Sequence, residues 1–177
     1  MIDFPPIPTW DGLHPLIIHF PIALLMVAPL LVVAALVWRD NRKGLLTAAL
    51  GLMVLGTAAA WVAVSSGEAA GRLAERSPEI NAVLEHHEEL GETARIVFTV
   101  LTGVFAILMA APRLLRQLPS LKIQTAVLAA FLVVWGAGTL VLVNTAHNGG
   151  RLVHEFGVRA MMAPSPLPST ASEDHDD

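Results

Sequence analysis

The chain has 177 residues, 54% of them hydrophobic and 15% charged, with a mean hydropathy of +0.62 and a formal net charge of -4. A soluble domain usually carries about 25% charged residues, so the long uncharged runs exclude an ordinary soluble domain and point to an integral membrane protein. The absence of cysteine excludes disulfides, thiolate metal sites and covalent c-type haem attachment, and the sparse basic residues leave no footprint for nucleic acid.

Residues 1–12 form a polar, proline-containing lead-in that ends near Trp10, a residue suited to the headgroup layer. No basic region precedes the first apolar run, so a cleaved signal peptide is not expected. Helix one is expected from about Leu13 to Trp38, long enough to cross a bilayer with some tilt. It opens on His14-Pro15-Leu16-Ile17-Ile18-His19-Phe20-Pro21-Ile22-Ala23-Leu24-Leu25. Pro15 suits a first helical turn, whose N–H groups have no helical partner. Pro21 comes deeper, cannot donate to the carbonyl of Ile17, and predicts a kink that aims His19 into the bundle. An ionisable group at membrane depth is a functional candidate. The plainer alternative is a neutral His19 hydrogen-bonded to a carbonyl of another helix.

Helix two is expected over about Gly44–Val64, rich in the small residues that let helices approach closely in lipid. A long polar connection from Ser65 to about Gly91 follows, with a helix start at Ser77-Pro78-Glu79. Helix three is placed at about Thr93–Ala111, then a turn over Pro112–Lys122, then helix four at about Ile123–Val143. Residues 161–177 read as a disordered acidic tail, leaving 13–160 as one transmembrane domain. The fold class is therefore all-α: a membrane four-helix bundle of two helical hairpins.

The two short turns carry Arg39, Arg42, Lys43, Arg113, Arg116 and Lys122, six of the eleven basic residues. By the positive-inside rule they face the cytoplasm, so both termini and the long connection lie outside. Every acidic residue except Asp40 then falls on the outer side, as do His14, His19, His86, His87, His147 and His154. A short match of Gly71-Arg72-Leu73 with Gly150-Arg151-Leu152 suggests that the two hairpins are parallel repeats.

Neutral imidazole binds haem iron, copper and zinc. A b-type haem needs no cysteine, only one or two axial histidines, an apolar slot and partners for its propionates. His14 or His19, opposed to His87 or His147, are the candidate cofactor or metal ligands, with Arg72 and Arg151 as candidate propionate partners. His14 and His19 lie five positions apart, about 140° around a regular helix, so one metal would not take both without a kink. His86, His87 and Glu89 are a weaker surface alternative, because tandem histidines in an acidic stretch are usually solvated. For His147 the plainer role is completing a helix C-terminus, where the dipole favours a cation. Met161-Met162 alone is no copper motif. The chain has no phosphate-binding loop, nucleophile elbow or His-Glu-x-x-His.

The segments 14–25 and 147–158 resemble the predicted membrane proteins catalogued as domain of unknown function 2231, and the similarity covers about residues 11–158. The resemblance implies a four-helix protein of the bacterial inner membrane. Some relatives look fused to, or associated with, cytochrome-like modules, which favours a haem or redox role by analogy. Members commonly carry an aromatic residue where His154 stands, which argues against a role for that histidine.

The leading expectation is thus a histidine site at the outer face that binds b-type haem, or else a metal ion, for electron transfer with a redox protein or membrane complex. A structural or pH-responsive subunit without catalytic activity is the second. A permease comes last, since four helices are few and no carboxylate lies mid-membrane. The orientation is directly testable: a reporter active only in the cytoplasm, fused after Asp177, should be silent, and activity there would reverse the sidedness.

Overall fold

The computed structural model describes residues 8–74, 77–114 and 120–158, without the side chains of 113–114. The expected acidic tail, Met161-Met162, Arg116 and most of the lead-in lie outside these residues. Five helices follow one another: α1 (His14–Ile17), α2 (His19–Val37), α3 (Arg42–Leu73), α4 (Pro78–Leu114) and α5 (Leu121–His154). Short 3-10 turns precede α1 at Asp11–Leu13 and α3 at Arg39–Asn41. α1 and α2 are one span interrupted at Ile18, so four helical units are long and apolar enough to cross a membrane. The described residues contain no strand.

The interruption follows from Pro21, which has no N–H for the Ile17 carbonyl and whose ring crowds it. Pro29, inside α2, does the same to the carbonyl of Leu25. That carbonyl is answered from another helix. The indole Nε1–H of Trp135 on α5, a side chain only 1% exposed, donates to it at 3.2 Å. The proline's missing bond thus becomes an interhelical one.

The helices outrun the apolar segments. α3 continues past Val64 to Leu73, and α4 begins at Pro78, so the expected polar connection is mostly helix. Ser77 caps α4, its hydroxyl accepting from the Ile80 amide at 3.2 Å. α5 likewise runs past Val143 to His154. Hydropathy marks where lipid ends, whereas a helix ends where its backbone bonding ends. The 32 residues of α3 span about 48 Å at 1.5 Å per residue, against a hydrocarbon core of about 30 Å. Counted from the basic cluster at Arg39, Arg42 and Lys43, the bilayer is crossed near Val64. The remaining turns of α3, with the matching ends of α4 and α5, project beyond it.

Neighbouring helices pack in the ring order α2, α3, α4, α5, and α5 closes onto α2 along the least extensive of the four sides. Leu25, Val32, Met53, Phe98, Phe105 and Trp135 fill the central core. Thr57 and Thr102 join α3 to α4 within it by a 2.9 Å hydroxyl bond. Leu30, Val33, Val100, Ile107, Val133 and Leu140 are exposed. That is the pattern of a bundle whose solvent is lipid. A second, smaller cluster of Val83, Leu84 and Leu152, flanked by Ile80 and Phe156, packs in the projecting part.

The hairpins repeat each other in parallel. A Cβ on Gly56 of α3 would lie 2.8 Å from Leu25 of α2, and one on Gly138 of α5 would lie 3.0 Å from Val97 of α4. Buried Leu25, Ala28 and Val32 on α2 recur at one constant offset as buried Phe98, Leu101 and Phe105 on α4. Leu46, Ala49 and Met53 on α3 recur at a second offset as Leu128, Phe131 and Trp135 on α5. The Gly71/Gly150 match read from the sequence is out of this register by about one helical turn, since the counterpart of Gly71 is Val153.

Replacing Trp135 with Phe should leave the Leu25 carbonyl unpaired and lower stability in detergent by about 1 kcal/mol. In a Pro29→Ala background the restored amide can serve that carbonyl, so the cost of Trp135→Phe should shrink. Equal costs in both backgrounds would show that the indole bond does not compensate the proline.

Candidate functional site

The repeat carries a polar counterpart at the projecting end. His14, at the start of α1, donates from Nδ1 to the backbone carbonyl of Ala63 on α3 at 2.8 Å. His87, in the third turn of α4, donates from Nδ1 to the carbonyl of Thr145 on α5 at 2.9 Å. Donor and acceptor positions match under the two offsets that relate the hydrophobic core. A carbonyl can only accept, so both rings carry a proton on Nδ1, and the neutral form of each leaves its lone pair on Nε2. Ser66, fully buried, adds a 3.0 Å bond from its hydroxyl to the same Ala63 carbonyl.

Each ring also lies over a glycine one turn beyond its acceptor. A Cβ on Gly67 would meet Cε1 of His14 at 2.7 Å, and one on Gly149 would meet Cε1 of His87 at 2.9 Å. These glycines are present for close approach, since both sit in regular helix. The two imidazoles, one from each half, stand 6.4 Å apart between ring centres with their planes at 81°.

Both rings open into one cavity of about 650 Å³, within the usual range for a small-molecule or cofactor site. Its floor includes core residue Phe98 and its roof includes Leu84 and Leu152 of the outer cluster. The walls are mostly aliphatic, with Glu88 and Arg95 among the polar exceptions. The site is thus an aqueous-side chamber closed above and below by apolar packing.

The other histidines expected at a site are placed differently. His19 lines the same cavity, but it is exposed and stands at the rim, level with the end of the spanning part of α2. The Pro21 break does not turn it into the bundle interior. His147 is exposed and does not line the cavity. It lies two positions before Gly149, about 200° around the helix, and so faces away from His87. His86 is exposed beside Glu89 at 4.0 Å. Neither expected propionate partner reaches the chamber: Arg72 is exposed, and Arg151 is engaged with Glu155 at 3.0 Å.

Arg95 was not marked by the sequence reading, yet it lines the cavity. Its guanidinium stacks 4.4 Å over the ring of Trp61, and Glu92 is 3.8 Å away. Its Nε is buried without a hydrogen-bond partner. Gly67 and Gly149 were missed as well. The signal that finds them is the doubled His–Gly pairing, visible only once both offsets are known. Among the described residues no three His, Asp or Glu side chains come together as metal ligands.

A membrane-spanning bundle of two repeated hairpins, with one imidazole from each meeting in an extramembrane chamber, is the class this fold and site define. The chain belongs to the family described as Predicted membrane protein (DUF2231), whose model matches residues 11–161. No curated protein and no solved structure matches it.

The packing under the histidines can be tested by adding one carbon. Gly149→Ala should force the His87 ring off its carbonyl and lower detergent stability by about 1–3 kcal/mol. Gly150→Ala, whose added carbon meets open space, should cost far less. Equal effects would mean that the ring does not rest on Gly149.

Proposed function

We propose that the chamber holds a b-type haem ligated by Nε2 of His14 and Nε2 of His87, and that the protein transfers electrons in a bacterial inner-membrane redox assembly. The observation that carries this reading is the symmetric imidazole pair, each ring fixed through Nδ1–H to a carbonyl. That arrangement is the usual second-sphere support of a metal-binding histidine. The ring centres of His14 and His87 stand 6.4 Å apart, so these two residues would be the ones to hold the group.

The donor set favours haem over a bare ion. Structural zinc takes four protein ligands and catalytic zinc three; of the four histidines that line the cavity, His14 and His87 stand ring to ring, and the described residues gather no three His, Asp or Glu side chains as ligands. A porphyrin supplies the remaining four nitrogens itself. Once bound, it would give the site reversible one-electron chemistry. The chain's own contributions are to set the imidazole tautomers, exclude water with the two apolar clusters, and offer Arg95 as the cation on the cavity wall. The inferred orientation, with both termini outside, puts the site on the outer side, within reach of a redox partner there.

The second reading is a structural or pH-responsive subunit. The same His14–Ala63 and His87–Thr145 bonds favour it, because each ties one helix to the next.

The protein purified from haem-sufficient cells should be coloured, with a Soret band. His14→Ala and His87→Ala should each lower haem content by at least about tenfold, while His86→Ala should retain it. A folded, colourless protein under those conditions would leave the structural reading in place.

A further inference from the structure

The end of the bundle opposite the chamber holds a second open space. A groove of about 590 Å³ lies between the first turns of α5 and the Arg39–Asn41 turn that joins α2 to α3. Among the described residues that turn does not pack against α5. The groove is therefore a gap on the side where the ring of helices closes least extensively. Leu121, Lys122, Thr125, Ala126 and Ala129 form its α5 wall, and Arg39 completes it from the turn. The five α5 positions share one helical face, and the two alanines leave room that larger side chains would fill. All six residues are exposed.

Charge and polarity change along this groove. Its polar end holds two cations, Arg39 and Lys122, and neither forms an ion pair among the described residues. Asp40, the one acidic residue of the two basic turns, does not line it. The first amides of α5 have no acceptor within the helix, and the helix dipole adds positive potential at the same place. Thr125 offers a hydroxyl one turn further on. Beyond it the wall is Ala126 and Ala129, continuous with the exposed Val127, Val133 and Val134 of the lipid-facing surface.

We propose that this groove binds an anionic phospholipid, with its phosphate held by Arg39 and Lys122 and an acyl chain laid along Ala126 and Ala129. The proposal is independent of any cofactor in the chamber. The matching ligand is charged at one end and hydrocarbon at the other. A soluble anion would leave the alanine wall uncovered, and a zwitterionic lipid would bring its own ammonium toward two cations. Arginine suits the phosphate because its planar fork donates two parallel hydrogen bonds, and lysine adds a point charge. Basic pockets between spanning helices take lipid headgroups on the same grounds. Bound there, the lipid joins the α2–α3 turn to α5 and closes the seam that helix packing leaves open.

The test uses the full chain in a mild detergent. Native mass spectrometry counts the bound lipid, and thermal unfolding reports the seam. Dioleoyl phosphatidylglycerol should bind and raise Tm, and dioleoyl phosphatidylcholine should bind at least about fivefold more weakly. Arg39→Gln and Lys122→Gln should each weaken phosphatidylglycerol binding by about fivefold, the effect of one cation beside a headgroup. Lys43→Gln, in the same basic turn but outside the groove, should leave binding unchanged. Ala126→Trp keeps both cations, fills the wall and should also weaken binding. The glutamine variants alter exposed side chains, so their Tm without lipid should equal that of the parent. Equal binding of the two lipids, or equal loss with Lys43→Gln, would reduce the groove to general attraction by a basic surface and overturn the proposal. A rise in Tm with inorganic phosphate equal to that with phosphatidylglycerol would reassign the groove to a free anion and overturn it as well.

Discussion

Close approach of each hairpin's two helices at glycine is the constraint on which the rest depends. Gly56 admits Leu25 and Gly138 admits Val97 in the membrane core, and Gly67 and Gly149 admit the rings of His14 and His87 above it. In lipid the helices gain nothing from leaving water, so association rests on dispersion and a few interhelical hydrogen bonds. A side chain at any of these glycines would separate the helices where that packing is tightest. The same close approach puts the histidine rings within reach of the carbonyls on the neighbouring helix.

The prolines belong to the same scheme. Each removes a backbone bond in α2, and the structure uses the two freed carbonyls differently. The carbonyl of Leu25 lies in the dry core, where an unpaired acceptor is costly, and Trp135 satisfies it. Pro21 leaves the carbonyl of Ile17 without its helical donor, at the point where the span is interrupted. The break at Ile18 sets α1 apart as a short segment packed on α3, and that segment carries His14. One proline thus supports the core and the other shapes the edge of the chamber.

Chamber and core are different layers of one bundle. The apolar cluster around Trp135 and Phe98 holds the spanning part together, and the cluster of Val83, Leu84 and Leu152 holds the projecting helices together. The histidine pair lies between them, shielded on both sides, with its polar atoms facing a cavity. A buried polar group is stable where its hydrogen bonds are met. Here Nδ1 of each ring is met within the protein, and Nε2 is left for whatever enters. The pairing of His14 with His87 across the repeat explains why one element could not have carried the site alone.

By itself the sequence determined that this is a membrane protein with four spans, broken near Pro21 and bounded at one end by Arg39, Arg42, Lys43 and Lys122. Those properties are local: apolar length, a missing N–H and clustered charge act wherever the chain goes. It also narrowed the candidate ligands to a few histidines, His14 and His87 among them. Only the tertiary structure decided which of these meet. His19, deeper and more apolar in its surroundings, looked the stronger candidate than His14, yet it stands exposed at the rim. His147 looked equal to His87, yet it turns outward. The choice depends on how each helix is rotated about its axis and how far it extends beyond the lipid. Hydropathy is silent on both, because the turns from 65 to 73, from 78 to 91 and from 144 to 154 are polar outside and are held as helix by packing that becomes possible only when the two hairpins come together.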